Sequence, residues 1–372
     1  MRILYDGEVY DWQAAGGVNR YFANVIGGLP HDFEPALLTT RVHDVNFPSH
    51  PNLKVYEYGA RLPRLESLSY RLGLYAAKLR DRLLEEFCAR GRFDVFHPTY
   101  YRLLTRRRVG SYRAPTVLTV WDMIDEVFPA EQDPAGEHAG WKREAIAAAD
   151  RVICISEHTK RDMLERYPVP EEKVSVIHLA SEIDESFAHG PEPVPERPYF
   201  LYVGSRAPYK NFGGMLRAFA RVAAARPGLA LCVVGPPFDD AEQRLVAELG
   251  LGGRVENYGR AGDRQLAKLY RRSLALVYPS LYEGFGIPPL EAMACGTAAV
   301  VANTTSLPEV VGDAGLLFDP RREDELISML LLLTDDGAAR EELIRKGRLR
   351  ARQFGWDKTA AQTLEVYRSA AL

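Results

Sequence analysis

The stretch LALVYPSLYEGFGIPPLEAMACGTAAVV, residues 274–301, contains a strand pattern, a glycine loop and a helix start in direct succession. The apolar run at its beginning predicts a buried strand over Leu274–Val277. Pro288 and Pro289 follow the loop, and proline is tolerated in the first turn of a helix. Strands that run through short loops into helices are typical of parallel α/β sheets, so this stretch predicts that class of fold.

The loop within this stretch combines glycines with two acidic residues. Gly284 and Gly286 remove side chains where backbone N–H groups meet the helix N-terminus, an arrangement that suits a phosphate. Glu283 lies in the loop and Glu291 on the helix. Because phosphate repels carboxylates, these two residues fit neutral hydroxyl groups better, and sugar hydroxyls are suitable partners. The alternative is a capped turn with a structural role.

A second strand, loop and helix start is YFLYVGSRAPYKNFGGMLRAF, residues 199–219. Arg206 and Lys210 emerge from this loop at the carboxyl end of the predicted strand. Two cations at that place fit a pyrophosphate, since Arg binds phosphate in a bidentate way and Lys acts as a point charge. The alternative is a solvated loop with two ordinary surface cations.

Apolar strand patterns alternate with helical patterns along the rest of the chain. The predicted strands are Arg2–Tyr5, Ala36–Thr39, Leu53–Tyr56, Asp94–Phe96, Thr116–Val120, Arg151–Ile155, Val174–Ile177, Tyr199–Val203, Ala230–Val234, Arg254–Asn257, Leu274–Val277 and Ala298–Val301. Helical spacing is found in Val18–Leu29, Leu65–Arg90 and Trp356–Ala371. The alternation predicts βαβ units and parallel sheets throughout.

The segment SEIDESFAHGPEPVPERP, residues 181–198, interrupts this alternation with four prolines and several acidic residues. We interpret it as a linker between an N-terminal domain, residues 1–180, and a C-terminal domain, residues 199–355. Residues 356–372 are expected to form a helix that packs back on the N-terminal domain. The predicted fold class is therefore α/β, with two doubly wound, Rossmann-like parallel-sheet domains facing across a cleft.

Polar residues near predicted strand ends in the N-terminal half are further candidates for the cleft. Gly16 and Gly17 follow the first strand, and they let a backbone approach a ligand or simply form a turn. His97 follows the strand that ends at residue 96, and Trp121 and Asp122 follow the strand that ends at residue 120. A purely structural role is the alternative for each of these three residues.

Composition excludes several functional classes. The 372 residues include 47 basic and 50 acidic side chains, a net charge of −3, whereas proteins that bind duplex nucleic acid usually carry a basic excess. No apolar stretch reaches the ~18 residues of a membrane-spanning helix. The N-terminus lacks a signal-peptide pattern. The four cysteines lie far apart in apolar contexts, which indicates buried thiols in a reducing, cytoplasmic compartment.

Motifs for other mechanisms are missing from the sequence. There is no HExxH, GxSxG, Walker loop, dinucleotide GxGxxG or Asp-x-Asp metal pair. We therefore expect no metal and no bound cofactor.

The helical pattern Leu65–Arg92 combines leucines with basic residues, and Arg106–Arg108 adds three more cations. This pattern indicates either weak peripheral contact with an anionic membrane or a core-packed helix with a solvated basic face.

Together these motifs resemble the family-4 glycosyltransferases of group 1, which are retaining enzymes with the GT-B fold. The segment EGFGIPPLE, residues 283–291, with the following AMACGTAAVVAN and SLPEVVGDAGLLFDP, carries the strongest likeness. The resemblance covers the whole chain. GGVNRYF, FHPTYY and ICISEHTKRDML are similar to a bacterial subgroup that builds polysaccharide and O-antigen repeats.

The resemblance implies a role for each candidate residue. It assigns the donor diphosphate to Gly16, Gly17, Arg206, Lys210 and the helix start at Ile287. It assigns the transferred sugar to Glu283, Gly284, Phe285 and Gly286, the ribose to Glu291, and the acceptor side to His97, Trp121 and Asp122. Glu283, Arg206 and Lys210 are the expected catalytic residues. The N-terminal domain then binds the acceptor and the C-terminal domain the nucleotide sugar.

Two departures from the family pattern concern this assignment. Ser205 stands between the strand glycine and Arg206, and Trp121 stands where many members have His.

The implied activity is metal-independent transfer, with retention, from a nucleotide-diphosphate sugar to a saccharide or polyprenyl-linked acceptor. GDP-mannose is the first expected donor and a UDP-sugar the second. The alternatives are a nucleotide-sugar epimerase or a phosphorylase on the same fold, and a non-catalytic nucleotide-sugar-binding subunit.

Overall fold

The structure is a computed structural model that describes residues 1–13, 16–43, 45–59, 68–105 and 107–372; of residues 68–76 it describes the backbone. It divides into two compact units. The first contains residues 1–155, 159–178 and 356–372, and the second contains residues 156–158 and 179–355. The segment predicted to be a linker, residues 181–198, is grouped with the second unit, in which Lys268 Nζ donates hydrogen bonds to the carbonyl oxygens of Gly190 and Glu192.

The first unit contains parallel strands in two hydrogen-bonded groups. They are β1 (Arg2–Asp6), β2 (Glu34–Thr39), β3 (Lys54–Glu57), β4 (Val95–Pro98), β5 (Val117–Val120), β6 (Arg151–Cys154) and β7 (Val174–Val176). The orders are β3-β2-β1-β4 and β5-β6-β7, and a parallel bridge between Phe96 and Thr116 joins the two groups. The sheet therefore reverses its direction of growth between β1 and β4.

The second unit contains one six-stranded parallel sheet. Its strands are β8 (Tyr199–Val203), β9 (Ala230–Val234), β10 (Val255–Asn257), β11 (Ala275–Tyr278), β12 (Ala298–Ala302) and β13 (Leu316–Phe318). The order β10-β9-β8-β11-β12-β13 is that of a doubly wound dinucleotide-binding sheet, with its switch point between β8 and β11. All residues of β8, β9, β11 and β12 are buried, as expected for a sheet covered on both faces.

Helices connect these strands. They are α1 (Val9–Trp12), α2 (Gly17–Gly27), α3 (Leu68–Arg90), α4 (Ile124–Val127), α5 (Pro129–Gln132), α6 (Glu137–Ala148), α7 (Glu157–Arg166), α8 (Phe212–Ala225), α9 (Asp240–Glu248), α10 (Asp263–Arg272), α11 (Ile287–Ala294), α12 (Leu307–Val311), α13 (Glu323–Asp335), α14 (Gly337–Ala351) and α15 (Trp356–Ala370). Helix α15 packs against α2, β5 and β6 within the first unit.

Each predicted strand is present, with boundaries that differ by no more than two residues. Strand β13 was not predicted, because three residues between a glycine turn and a proline are too short to show a period. The four cysteines are buried free thiols, as the sequence indicated. Within the described ranges, no helix is both long enough and apolar enough to cross a bilayer.

Candidate functional site

The switch point of the second sheet brings two of the sequence motifs together. The Lys210 loop follows β8 and the Glu283 loop follows β11, and these two strands are neighbours. Ligands of doubly wound sheets bind outside the carboxyl ends of the strands at this point. The backbone N–H of Leu281 donates to the carbonyl oxygen of Tyr209 at 2.7 Å, so the two loops are directly joined.

Lys210 and Glu283 form an ion pair at the centre of this region. Lys210 Nζ lies 2.6 Å from Glu283 Oε1, and each side chain is only 12% exposed. The Tyr278 hydroxyl accepts a second, longer contact from Nζ at 3.4 Å. Burial disfavours the charged lysine, but the Glu283 carboxylate and Tyr278 outweigh it and hold the pKa of Lys210 well above its ordinary value. The site thus keeps a largely buried lysine cation beside Glu283.

The backbone conformation around Lys210 and Glu283 is explained by particular residues in the two loops. Lys210 ends a 3₁₀ turn, Pro208–Lys210, and Asn211 then takes a left-handed conformation (φ 53°) that leads into α8. Asparagine tolerates this conformation better than most residues. Gly286 has φ 115° directly before α11, and a Cβ there would lie 2.7 Å from Leu307. Both backbone conformation and space therefore require glycine at residue 286.

The other residues of the EGFG loop lie at the start of α11. Gly284 is partly exposed, and Phe285 is buried with its ring 5.9 Å from that of Phe354. Ile287 is the first residue of α11, and Pro288 occupies the first turn as predicted. The eight-residue helix presents its N-terminus at the Glu283 loop. An N-terminus so placed favours a negatively charged group.

Glu291 lies on α11 and is nearly buried. The Tyr270 hydroxyl, from α10, donates to Glu291 Oε2 at 2.9 Å. Burial together with the charge of Glu291 raises the pKa of Tyr270 well above its ordinary value, so the phenol stays protonated and remains a donor. Tyr270 thereby fixes one oxygen of the carboxylate. Sequence reasoning missed Tyr270, because a tyrosine at helical spacing is indistinguishable from a core residue.

Arg206 is not part of the Lys210–Glu283 pair. Its Nε donates to Glu242 Oε1 at 2.6 Å, its Nη2 donates to the Pro237 carbonyl oxygen at 2.7 Å, and the side chain is 5% exposed. The rings of Phe212 and Phe238 lie 5.6 and 5.0 Å from the guanidinium carbon. Nη1 is buried and has no hydrogen-bond partner in the described part of the chain. The partner Glu242 was not predicted.

His97 lies in the first unit and is fully buried. Its Nδ1 is 2.7 Å from the Tyr367 hydroxyl of α15, and its Nε2 is 2.9 Å from the Thr119 hydroxyl of β5. Burial lowers the pKa of His97 to about 3, so the ring is neutral. Both ring nitrogens are already bonded within the unit, and the ring is 0% exposed. These contacts are those of a structural residue, and the assignment of His97 to the acceptor side stays a prediction.

Trp121 and Asp122 follow β5 as predicted, but they differ in accessibility. Trp121 is buried against the Tyr21 ring, whereas about a third of the Asp122 side chain is exposed. Desolvation of the carboxyl group raises the pKa of Asp122, and the nearby cation of Lys142 partly opposes this rise. Lys142 is fully buried, and its Nζ also lies 2.9 Å from Glu126 Oε2. Of the two residues Asp122 is the more exposed, and its place on the acceptor side stays a prediction.

Gly16 and Gly17 lie where α2 begins. Gly16 precedes the helix with extended backbone, and Gly17 is its first residue. A Cβ on Gly16 would lie within 2.5 Å of the Gln13 side chain. The two preceding residues, 14 and 15, lie outside the described residues. Binding of the donor diphosphate by Gly16 and Gly17 therefore stays a prediction.

The described residues contain no group of three or more His, Cys, Asp or Glu side chains arranged to hold a metal ion. Positive charge in the second unit's site is supplied by Lys210 and by the N-terminus of α11. Negative charge is supplied by two carboxylates, each able to accept hydrogen bonds from hydroxyl groups. The arrangement suits a ligand with phosphate at one end and hydroxyls at the other.

Comparisons with known proteins identify relatives of this chain. The family model for glycosyl transferases group 1 matches residues 184–350, and that for glycosyltransferase family 4 matches residues 15–185. The chain is 33% identical to O-antigen chain mannosyltransferase B of Escherichia coli, over 60% of this chain and 62% of that protein, which is less than two thirds of its length. It is 32% identical to the MMP alpha-(1->4)-mannosyltransferase of Mycolicibacterium hassiacum, over 76% of this chain and 72% of that enzyme. A D-inositol 3-phosphate glycosyltransferase of Thermobispora bispora is 29% identical over 96% of this chain and 90% of its own.

Solved structures show the same fold at lower identity. Sucrose-phosphate synthase from Thermosynechococcus elongatus has a TM-score of 0.76 at 21% identity, covering 99% of this chain and 98% of that one. The Anabaena protein HepE, solved with UDP and glucose, has a TM-score of 0.70 at 18% identity and covers 99% of both chains. These likenesses confirm the GT-B fold. The 32% identical relative and the two family models show that the chain belongs to the group 1, family-4 glycosyltransferases.

Proposed function

We propose that this glycosyltransferase moves a sugar, with retention and without a metal ion, from a nucleotide-diphosphate donor to a saccharide or lipid-linked acceptor. The observation that carries the proposal is the Lys210–Glu283 pair at the switch point of the second sheet. One partner suits the diphosphate and the other suits the hydroxyls of the sugar attached to it. A donor of this kind spans both charges at once.

The nucleotide end of the donor has its own proposed partners. Glu291, oriented by Tyr270, accepts hydrogen bonds from the ribose hydroxyls. The N-terminus of α11 at Ile287 and the loop glycines Gly284 and Gly286 approach the diphosphate through the backbone. Arg206 is a secondary diphosphate contact through Nη1, since its other nitrogens are bound to Glu242 and Pro237.

The chemistry follows from where charge develops. The bond between the anomeric carbon and the diphosphate oxygen breaks, and the electron pair leaves with the diphosphate. Lys210 and the α11 N-terminus stabilise that growing negative charge. The acceptor hydroxyl attacks from the side on which the diphosphate departs, and a departing phosphate oxygen takes its proton. The protein supplies position and electrostatics, and it needs no separate acid and base.

The donor is tested with a panel of GDP-mannose, UDP-glucose and dTDP-glucose. We expect GDP-mannose, in line with the two mannosyltransferase relatives, to raise the unfolding temperature most, with UDP-glucose second. A ligand at ~100 times its dissociation constant adds about 2.7 kcal/mol to the free energy of unfolding. Nuclear magnetic resonance of the product reports the anomeric configuration, and turnover in EDTA reports metal independence. An inverted product, or loss of turnover in EDTA that magnesium restores, contradicts the proposal.

Two alternatives are separated by the same assays. A non-catalytic nucleotide-sugar-binding subunit is stabilised by a donor but never releases nucleoside diphosphate. An epimerase converts the donor sugar without any acceptor being glycosylated. The intact Glu283–Glu291 segment argues against the epimerase, and release of nucleoside diphosphate separates the transferase from the binding subunit.

We further propose that the acceptor belongs to polysaccharide or lipopolysaccharide synthesis and is reached from the cytoplasmic face of a membrane. On α3, Leu79 and Leu83 are 59% and 62% exposed, and Lys78, Arg80 and Arg82 are exposed beside them. Apolar side chains flanked by cations suit an anionic lipid surface, at about 1 kcal/mol per cation. The first part of the predicted Leu65–Arg92 helix and Arg106 lie outside the described residues.

Sedimentation with vesicles tests this contact. We expect more protein to bind vesicles of anionic phosphatidylglycerol than vesicles of neutral phosphatidylcholine at low salt, and the difference to vanish at high salt. Leu83→Ser combined with Arg82→Glu should abolish the difference. Leu349→Ser combined with Arg345→Glu, at an exposed place on α14, is the matched control. Equal binding to both vesicle types contradicts the membrane proposal and leaves the transferase proposal unaffected.

A further inference from the structure

Three consecutive hydroxyl side chains, Thr304, Thr305 and Ser306, follow strand β12 and contact the Glu283 loop through its backbone. We call Thr304–Ser306 the hydroxyl turn. Thr304 Oγ1 donates to the Ser280 carbonyl oxygen at 2.8 Å. Thr305 Oγ1 accepts from the Glu283 N–H at 3.0 Å. Ser306 Oγ lies 2.9 Å from the Glu283 carbonyl oxygen and 2.7 Å from that of Phe285.

The Glu283 peptide is therefore held at both its N–H and its carbonyl oxygen, by two adjacent side chains. Ser306 is fully buried, so its hydrogen bonds are shielded from water. Removal of the Ser306 hydroxyl would take this donor away from the carbonyl oxygens of Glu283 and Phe285. The hydroxyl turn thus joins the ends of β11 and β12 at the place where the ion-paired carboxylate lies.

Thr305 has a strained backbone. Its φ is 49°, in the left-handed region, which is an outlier for a β-branched residue. Strain of this kind persists where the surrounding structure holds the residue in its conformation, and it is concentrated at ligand-binding sites. Asparagine or glycine would relieve the strain, but neither has the threonine hydroxyl that accepts from Glu283. The strained conformation and the hydrogen bond are two separate observations on the same residue.

We propose that Thr305 and Ser306 are positioning residues of the donor-sugar site, which keep the Glu283 carboxylate at the distance from Lys210 that transfer requires. This inference rests on the proposed function, because it assigns to the hydroxyl turn a role in the same reaction. Neither residue touches the reacting atoms. They act through the Glu283 peptide, whose position decides whether the carboxylate meets the sugar hydroxyls, and a displacement of about 1 Å costs up to 100-fold in rate.

Isosteric variants test the role. Thr305→Val keeps the shape and the β-branching and removes only the hydroxyl, and Ser306→Ala removes the second hydroxyl. With GDP-mannose and UDP-glucose as donors, we expect each variant to lower kcat about tenfold. The dissociation constants of GDP and UDP should change less than about twofold, since the nucleotide is bound elsewhere. Thr305→Ser should restore kcat to within about twofold, because it returns the acceptor oxygen.

A double-mutant cycle separates positioning from general loosening of the fold. In a Glu283→Gln background, Thr305→Val should lower kcat less than about twofold further, because the side chain that it positions has already lost its charge. Thr334→Val is the control for loss of a threonine hydroxyl that bonds to the backbone, since the Thr334 hydroxyl donates to the Leu330 carbonyl oxygen on α13. A full tenfold loss in both backgrounds contradicts the proposal, as does an equal loss of nucleotide affinity.

Hydrogen exchange gives a readout that needs no donor. In Thr305→Val and Ser306→Ala, the amides of residues 280–286 should exchange at least tenfold faster, with the unfolding temperature close to that of Thr334→Val. Unchanged exchange in both variants overturns the positioning role. If instead exchange accelerates as expected while wild-type protein turns over neither donor, the proposed function fails and the loop-holding contacts stand.

Discussion

The switch points of the two sheets have the same place in the strand order but contain side chains in opposite states. In the first unit, His97 is fully buried, neutral, and bonded through both ring nitrogens to Tyr367 and Thr119. In the second unit, Lys210 and Glu283 form an ion pair, and each side chain is still 12% exposed. Both ring nitrogens of His97 already have hydrogen-bond partners within their unit. The Lys210–Glu283 ion pair, in contrast, remains partly exposed.

The difference teaches that a polar residue near the end of a strand at a switch point does not by itself form a ligand-binding site. Helix α15 supplies the Tyr367 hydroxyl that covers His97, and burial then favours the neutral ring. At the second switch point Lys210 and Glu283 lie 2.6 Å apart beside a helix N-terminus, and Glu283 and Tyr278 hold the pKa of Lys210 well above its ordinary value. Packing therefore separates two positions that look alike in the sequence.

The largest expected effect comes from the ion pair. Glu283→Gln should lower turnover about 100-fold without weakening the binding of nucleoside diphosphate, because the carboxylate meets the sugar and not the phosphates. Lys210→Ala should lower both turnover and diphosphate affinity, and affect nucleoside monophosphate less. Product assays and calorimetry measure the two effects.

Lys346→Ala is the control for that pair, since Lys346 pairs with Asp313 on the surface at 3.3 Å. If Glu283→Gln weakens nucleotide binding as much as Lys210→Ala does, the division of the site between sugar and phosphate is wrong. If both variants keep full turnover, the active site lies elsewhere.

The ribose contact gives the second effect. Glu291→Ala should weaken nucleoside diphosphate and monophosphate alike, by ~1–3 kcal/mol for a lost charged hydrogen bond. Tyr270→Phe removes only the hydroxyl that orients Glu291 and should cost less. Calorimetry measures both, with the exposed Glu342→Ala as control. Unchanged nucleotide affinity in folded Glu291→Ala would remove the assignment.

The pH dependence of stability tests the enclosed state of His97. Its pKa is about 3 in the folded protein, below the ordinary 6.5, so the unfolded chain binds more protons between these values. The contribution of His97 is therefore complete above pH 6.5 and decreases as the pH falls towards 3, by about 1.4 kcal/mol per pH unit. His97→Gln keeps hydrogen-bonding capacity and does not titrate.

Urea unfolding of wild type and His97→Gln at pH 7, 6 and 5 measures this slope. Burial raises the pKa of Asp6 to about 7, which gives the opposite trend, but Asp6 is present in both proteins and cancels in their difference. A wild-type advantage that does not decrease with falling pH would mean that the ring is not enclosed.

The smallest effect concerns Tyr367. Tyr367→Phe removes the hydroxyl at 2.7 Å from His97 Nδ1 and should lower the free energy of unfolding by about 1 kcal/mol, with kcat unchanged. Unfolding curves and product assays measure the two quantities. A fall in kcat comparable to that of Glu283→Gln would break the comparison between the switch points and return His97 to the acceptor side.

The sequence predicted the parallel α/β fold, its strands and the loop that carries Glu283, because apolar period and glycine or proline punctuation are local signals. It did not predict that Arg206 pairs with Glu242, which lies 36 residues away, or that Tyr270 orients Glu291. Nor did it single out Thr305, whose backbone strain is invisible in the residue types.

What the sequence by itself determined was therefore which residues could meet at the carboxyl ends of the strands. Alternating patterns indicate parallel βαβ units, whereas the strand order that sets the switch points comes from the structure. Only the tertiary structure decided which polar groups stay available, since burial and hydrogen bonding depend on partners remote along the chain. The pairing of Lys210 with Glu283 spans 73 residues and that of His97 with Tyr367 spans 270, and such contacts form only when the sheets and helices are packed.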